Sequence, residues 1–315
     1  MSDDAIVESR RFRTWDESRA LEADHRVRLL IKAQFLRFQK NWVFWVVFGI
    51  GVIGAIGALM APFGQAEDGW YVDGLEVAFG FFGGAAPLVG VAAILFGSAT
   101  IAEDLRFNAP LFYFSRPVRV WDYVLAKVGF TFATLGLLVG MGLVTTLLST
   151  LLTITSEPPQ QAPWMSDLHY AQILEQWSVS GVTHVGDWLF LALVLVLGTF
   201  SVVLFLSTTV VAVSSFTKRA WHAAVGFIVL VGATGFIGLG LGIVVASNAY
   251  EMMWGPFGWF FGATILPLWA YFEPSEPMTR GAPVVAIFSH LFLIAWSLLA
   301  VRITYARVQR MEGAL

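Results

Sequence analysis

Ile101-Ala-Glu-Asp-Leu-Arg-Phe-Asn-Ala-Pro-Leu-Phe-Tyr-Phe-Ser-Arg-Pro-Val118 is a short charged stretch, broken by prolines and set between two long apolar runs near 77 to 98 and 124 to 153. A helix needs about 20 apolar residues to cross a hydrocarbon core ~30 Å thick. Four further runs of that kind lie near 42 to 61, 186 to 215, 220 to 247 and 284 to 304. Runs three and four exceed one crossing, which implies tilt or helix beyond the bilayer. With 57% hydrophobic and 13% charged residues and a mean hydropathy of +0.72, the chain is far from the roughly 25% charged content of soluble domains. The expected fold is an all-α integral membrane protein with six transmembrane helices.

Sidedness follows from the cations, because loops facing the cytoplasm collect Lys and Arg. Nine precede the first run, from Arg10 to Lys40. Arg106, Arg116, Arg119 and Lys127 surround the quoted stretch, Lys218 and Arg219 separate runs four and five, and Arg302, Arg307 and Arg310 close the chain. Of the 19 Lys and Arg, 18 thus share one side, and only Arg280 is opposite. Both termini are expected in the cytoplasm. The outward loops, near 62 to 76, 154 to 185 and 248 to 283, include the acids Glu67, Asp68, Asp73, Glu76, Glu157, Asp167 and Glu175, with Asp187 just beyond the second. No cysteine is present, which removes disulfides and thiolate chemistry, and the first 40 residues lack the apolar core of a cleavable signal.

Residues 1 to 23 read as a flexible tail. From 24 to 41, Val27, Leu30, Ile31 and Phe35 alternate with Arg26, Arg28, Lys32, Arg37 and Lys40 at helical spacing. This is the pattern of an amphipathic interfacial helix on the anionic leaflet, or of a helical, positively charged flank. Residues 42 to 315 then form one six-span domain. Within it, Gly80 and Gly84, and Gly238 and Gly242, have the small-xxx-small spacing of close helix approach. Ser166 is placed to cap a short outer helix. The outer stretch with Trp254, Phe257, Trp259, Phe260, Phe261 and Trp269, broken by Gly255, Pro256, Gly258, Gly262 and Pro267, is too interrupted to span. A re-entrant or interfacial helical element before the last span suits it.

In the quoted stretch, Thr100 and Glu103 have capping-box spacing, predicting a short helix that begins as the chain leaves span two. Pro110 ends it, and Pro117 suits the first position of the helix leading through Tyr123 and Lys127 into span three.

These residues resemble the permease subunits of type-2 ABC transporters. Glu103 and Asp104 match the acidic start of the family's coupling helix, placed here at about 100 to 118; Ser115-Arg116-Pro117 matches its Ser-Arg-Pro, and Tyr123 and Lys127 match the entry to span three, with Ala126 where Gly is usual. The resemblance implies a dimer with a second permease copy, or a homologous permease, driven by two cytoplasmic ATPase subunits that bind ATP and Mg. It further implies that Glu103, Asp104 and Arg106 contact an ATPase groove, with Phe107, Leu111 and Phe112 as apolar anchors. Arg116 would tie the helix to nearby carboxylates or to the ATPase, and Pro117 would transmit its movement. A bacterial or archaeal plasma-membrane exporter is the expected role.

This chain has no Gly-rich phosphate loop ending in Gly-Lys-Ser/Thr, so it is not expected to be an enzyme by itself. No ionisable residue occupies the middle of a run, which disfavours an ion-coupled carrier. His290, near the outer end of run six, reads as hydrogen-bonded packing. His169 and His184 share an outer loop with acids, but at separations that match no compact metal site. An intramembrane lipid-modifying enzyme would need a nucleophile or an acid and base pair within the bilayer, and no such set is evident. A scaffold recruiting a cytoplasmic partner would use the same charged loop, and the larger outward loops leave room for an outer-side partner. Besides these, membrane lipids are expected as partners and nucleic acid is not.

Overall fold

The structure, a computed structural model, describes residues 23–67, 74–109, 118–152, 154, 161, 165–180, 182–231, 267–268, 271 and 282–312. All the elements there are helical: α1 (Ala23–Gln39), α2 (Trp42–Glu67), α3 (Gly74–Ala92), a π-helical turn (Ala93–Gly97), α4 (Ala99–Arg106), α5 (Val120–Leu152), α6 (Asp167–Ser180), α7 (Val185–Ser214), α8 (Ala220–Val231) and α9 (Ala282–Glu312).

Five stretches are long and apolar enough to cross a membrane: Trp42–Met60, Leu88–Arg106, Val120–Leu152, Val185–Ser214 and Ala286–Met311. The chain is built as a multi-pass membrane protein. Of the expected span near 220 to 247, the described part is Ala220–Val231, an apolar helix too short to cross. Gly238, Gly242, Trp254, Phe257, Trp259, Phe260, Phe261 and Trp269 lie outside the described residues.

The organising element is α5, whose 33 residues span roughly 50 Å at 1.5 Å per residue. It packs against α1, α2, α3, α7 and α9, while α9 lies mainly along α7. Tyr123, Val124, Phe130 and Leu135 are almost wholly buried on α5, as are Leu191, Leu195 and Val203 on α7. Facing outward, Trp42, Ile53 and Ile56 on α2, Leu189 and Leu193 on α7 and Ile287, Phe288 and Leu298 on α9 are more than half exposed. Apolar surface of that extent is stable only where lipid is the solvent.

Hydroxyls inside the bundle mostly turn back on their own helices. Thr131, Thr134 and Thr150 donate to the carbonyls of Lys127, Phe130 and Thr146, and Ser297 and Thr304 to those of Leu293 and Ala300. A hydroxyl that satisfies itself within its helix costs little in an apolar setting. Other polar groups join helices. Trp188 Nε1 donates to the Leu147 carbonyl at 2.9 Å, Trp296 Nε1 to Thr209 Oγ1 at 3.0 Å, and Ser201 Oγ lies 2.8 Å from His290 Nδ1.

At the acidic end of the bundle, Ser166 Oγ accepts the His169 backbone N–H at 3.3 Å, capping α6 as its sequence position indicates. Asp187 accepts the His184 N–H at the start of α7, and its other oxygen accepts the Tyr271 hydroxyl at 2.9 Å. The Tyr271 ring stacks on Phe190, with centroids 4.3 Å apart. The hydrogen bond to Asp187 raises the Tyr271 phenol above its ordinary pKa, with partial burial and the carboxylate charge adding to the effect.

The exit from span two differs from its reading in sequence. No capping box opens α4: the π turn continues α3 into α4 through Ser98, which has right-handed helical dihedrals and makes no side-chain cap. Because the helix never breaks there, no backbone N–H needs the Thr100 hydroxyl, which instead bonds back to the Gly97 carbonyl. Close packing accompanies the π turn, since a Cβ at Gly97 would collide with the Val210 side chain of α7. The helix ends at Asn108, whose φ of 52° is left-handed, a conformation Asn tolerates better than most residues.

The next helix also starts later than expected. Val118 and Arg119 are not helical and α5 begins at Val120, while Pro117 lies outside the described residues. Arg119 precedes the first turn, and its carbonyl accepts the Tyr123 N–H. Asp122 lies in that turn, where the helix dipole favours a negative charge.

Candidate functional site

Three segments distant in sequence meet at the basic end of the bundle: α1, α4 and the first two turns of α5. Helix α1 carries Arg26, Gln34 and Arg37 at offsets of eight and eleven residues, which a 3.6-residue period places on one side. Beside that side, Phe35 packs edge-on against Phe130 of α5, and Phe38 stacks on the same ring at a centroid distance of 5.0 Å. Helix α1 is therefore docked on protein through its apolar residues. Leu29 and Leu36 of the same helix remain exposed.

Consecutive acids on α4 point in different directions, as neighbours on a helix must. Asp104 turns inward and is buried, while Glu103 stays at the rim. On α5, Tyr123 and Lys127 are four residues apart and share the face toward Asp104. Lys127 Nζ lies 2.6 Å from Asp104 Oδ2 and donates to Gln34 Oε1 at 2.7 Å. The same Asp104 oxygen accepts the Tyr123 hydroxyl at 2.9 Å. Arg37 bridges the two acids, pairing with Glu103 and reaching Asp104 Oδ1 at 3.5 Å. Arg26 Nε donates to Asp122 Oδ2 at 3.0 Å, a second tie between α1 and α5.

The hub balances three cations, Arg26, Arg37 and Lys127, against three carboxylates, Glu103, Asp104 and Asp122. Balance matters because removing an ion from water costs several kcal/mol unless partners and hydrogen bonds replace the solvent. Asp104 and Lys127, whose side chains are 3% and 4% exposed, are stable only together. Beside them is a cavity of about 120 Å³ lined by Leu30, Ala33, Gln34, Arg37, Tyr123, Ala126 and Lys127, large enough for a few waters. The hub ties α4 to α1 and to the base of α5.

Of the residues singled out from the sequence, Glu103 and Asp104 are brought into the hub together with Tyr123 and Lys127. Arg106 is not: its guanidinium sits 5.4 Å from the ring centroid of Phe107, and that ring is 62% exposed. Both project from the open end of α4. Leu111, Phe112, Ser115, Arg116 and Pro117 lie outside the described residues. Gln34, Arg37 and Asp122 had no site role in the sequence reading. The available signal was the one-sided spacing of Arg26, Gln34 and Arg37, which looks the same as an interfacial basic face until a partner helix is placed against it.

Comparison of the chain with protein-family models finds no match, and neither does comparison with curated proteins.

Proposed function

We propose that this chain is the membrane-spanning subunit of a type-2 ABC transporter, an exporter of the plasma membrane. Two such subunits form the path and separate cytoplasmic ATPases drive it, binding the ATP and Mg. In this reading both termini are cytoplasmic, the run from 220 to 247 is the fifth of six spans, and the aromatic stretch before α9 is re-entrant from outside. The observation that carries the proposal is the convergence of Glu103, Asp104, Tyr123 and Lys127 at the bundle's basic end. These residues match the family's motif, and their ion pairs join a short exposed helix end to the longest span. An ATPase that seats Arg106 and Phe107 and moves on nucleotide binding would push α4. The hub would pass that displacement to α1 and α5 as a rigid body.

Purification from native membranes in mild detergent, with mass identification of co-purifying chains and an ATPase assay, tests the reading. A stoichiometric ATPase with two copies of this chain, whose hydrolysis becomes uncoupled in Glu103→Gln, is the expected outcome. A homogeneous species lacking a nucleotide-binding partner would overturn it and favour a scaffold or a membrane enzyme.

A further inference from the structure

We propose that the turn between α7 and α8, together with the last turns of α9, forms a binding site for anionic phospholipid headgroups. The site rests on the orientation proposed above, with the basic end in the cytoplasm, but not on the transporter reading.

From Trp188 to Val231 and along α9 the chain carries five cations, Lys218, Arg219, Arg302, Arg307 and Arg310, against a single carboxylate, Glu312, at the last residue of α9. None of the five pairs with an acid among the described residues, in contrast to the neutralised hub. One contact brings four of them to the same end of the bundle. Arg307 lies over the Phe216 ring at 5.8 Å, which fixes the turn against α9. Arg310 follows three residues later on the same side of that helix, and Lys218 and Arg219 extend from the turn itself. The turn is ordered by its own bonds: Ser215 and Phe216 donate backbone N–H groups to carbonyls of α7, and the Thr217 hydroxyl donates to the Arg219 carbonyl.

The other flank of α9 is occupied, since Tyr305 stacks on Trp121 of α5 at 4.3 Å. The basic flank is open. Phe216 and Trp221 beside it are 58% and 60% exposed, apolar rings at the level where a membrane changes from hydrocarbon to headgroup. Exposed cations that pair with no acid among the described residues, flanked by two exposed aromatics at the end of apolar helices, complement a phosphate diester attached to acyl chains. A soluble phosphate would leave the rings unused.

The test compares the full chain with Lys218→Gln/Arg219→Gln and with a control, Lys32→Gln/Lys40→Gln, which removes equal charge from exposed positions on the same end. Each is reconstituted into nanodiscs of phosphatidylcholine with or without phosphatidylglycerol, and lipids retained after detergent extraction are measured by native mass spectrometry. The expected result is retention of phosphatidylglycerol by the parent and the control, and its loss in the turn variant. At about fivefold per cation near an anionic surface, the loss is roughly 25-fold. Phe216→Ala, which keeps every charge, should weaken retention less. Equal loss in control and turn variants would reduce the site to nonspecific surface charge and overturn the proposal. Undiminished retention in the turn variant would also overturn it, as would loss of a co-purifying protein from that variant with lipid unchanged.

Discussion

Lys127 Nζ lies 2.6 Å from Asp104 Oδ2, joining α5 to α4 by an ion pair with almost no access to water. The pair is held in register by Tyr123 and Gln34, which supply one further hydrogen bond to each partner. An arrangement so enclosed is costly to break from one side only.

Lys127→Met should therefore lower stability by about 3 to 5 kcal/mol, because it leaves the Asp104 carboxylate buried beside fewer cations. The double variant Lys127→Met/Asp104→Leu should be more stable than Lys127→Met alone. Thermal unfolding in detergent, followed by size-exclusion chromatography, measures both. A single variant as stable as the parent would show that the Lys127 and Asp104 pair does not hold the fold.

The Arg37 and Glu103 pair is half-exposed, and removing it should cost under about 1 kcal/mol. On the proposed function its effect on coupling is larger than its effect on stability. Arg37→Glu should uncouple ATP hydrolysis from transport with the assembly intact, and Arg37→Glu/Glu103→Arg should recover part of the coupling. Assay of ATPase activity and transport in proteoliposomes decides this. Equal loss in the single and swapped variants would show that the pair itself is not the link.

Gly97→Ala places a methyl group against Val210 where the π turn meets α7, and overpacking of that kind costs about 1 to 3 kcal/mol. Gly97→Ala/Val210→Ala should be more stable than Gly97→Ala. Melting temperatures of the two variants test the contact.

Tyr271 donates to Asp187 at an exposed edge, so Tyr271→Phe should cost about 0.5 kcal/mol, the low end for a hydrogen bond. The folded-state pKa of Tyr271 is raised, so its contribution is fully present below the unfolded phenol value of about 10. The contribution is lost as pH rises through the folded value. Stability of parent and variant, measured from neutral to alkaline pH, should converge only at the alkaline end.

Much of the fold was legible from local patterns. The helix expected from 24 to 41 is Ala23–Gln39, and Ser166 caps α6 as its position indicates. Local patterns misled where the chain's continuity mattered. Thr100 and Glu103 have capping-box spacing, yet a π turn that packs Gly97 against Val210 carries the helix straight through. A motif four residues long cannot report whether the preceding helix has ended. The site was half legible: Glu103, Asp104, Tyr123 and Lys127 were found, but Arg37 was read only as part of a basic face.

The sequence alone determined that the chain is helical, that it is solvated largely by lipid, and which end of the bundle is basic. These properties follow from the transfer free energy of contiguous residues, which adds up locally along a run. The tertiary structure decided which charges are neutralised and which stay open. Lys127 meets Gln34 across 93 positions and Arg37 meets Glu103 across 66, because α1 docks its aromatic residues on α5 and so brings its cations over α4. Packing of helix faces, for which no local rule exists, turned one set of basic residues into a closed hub and left another exposed at the turn after α7.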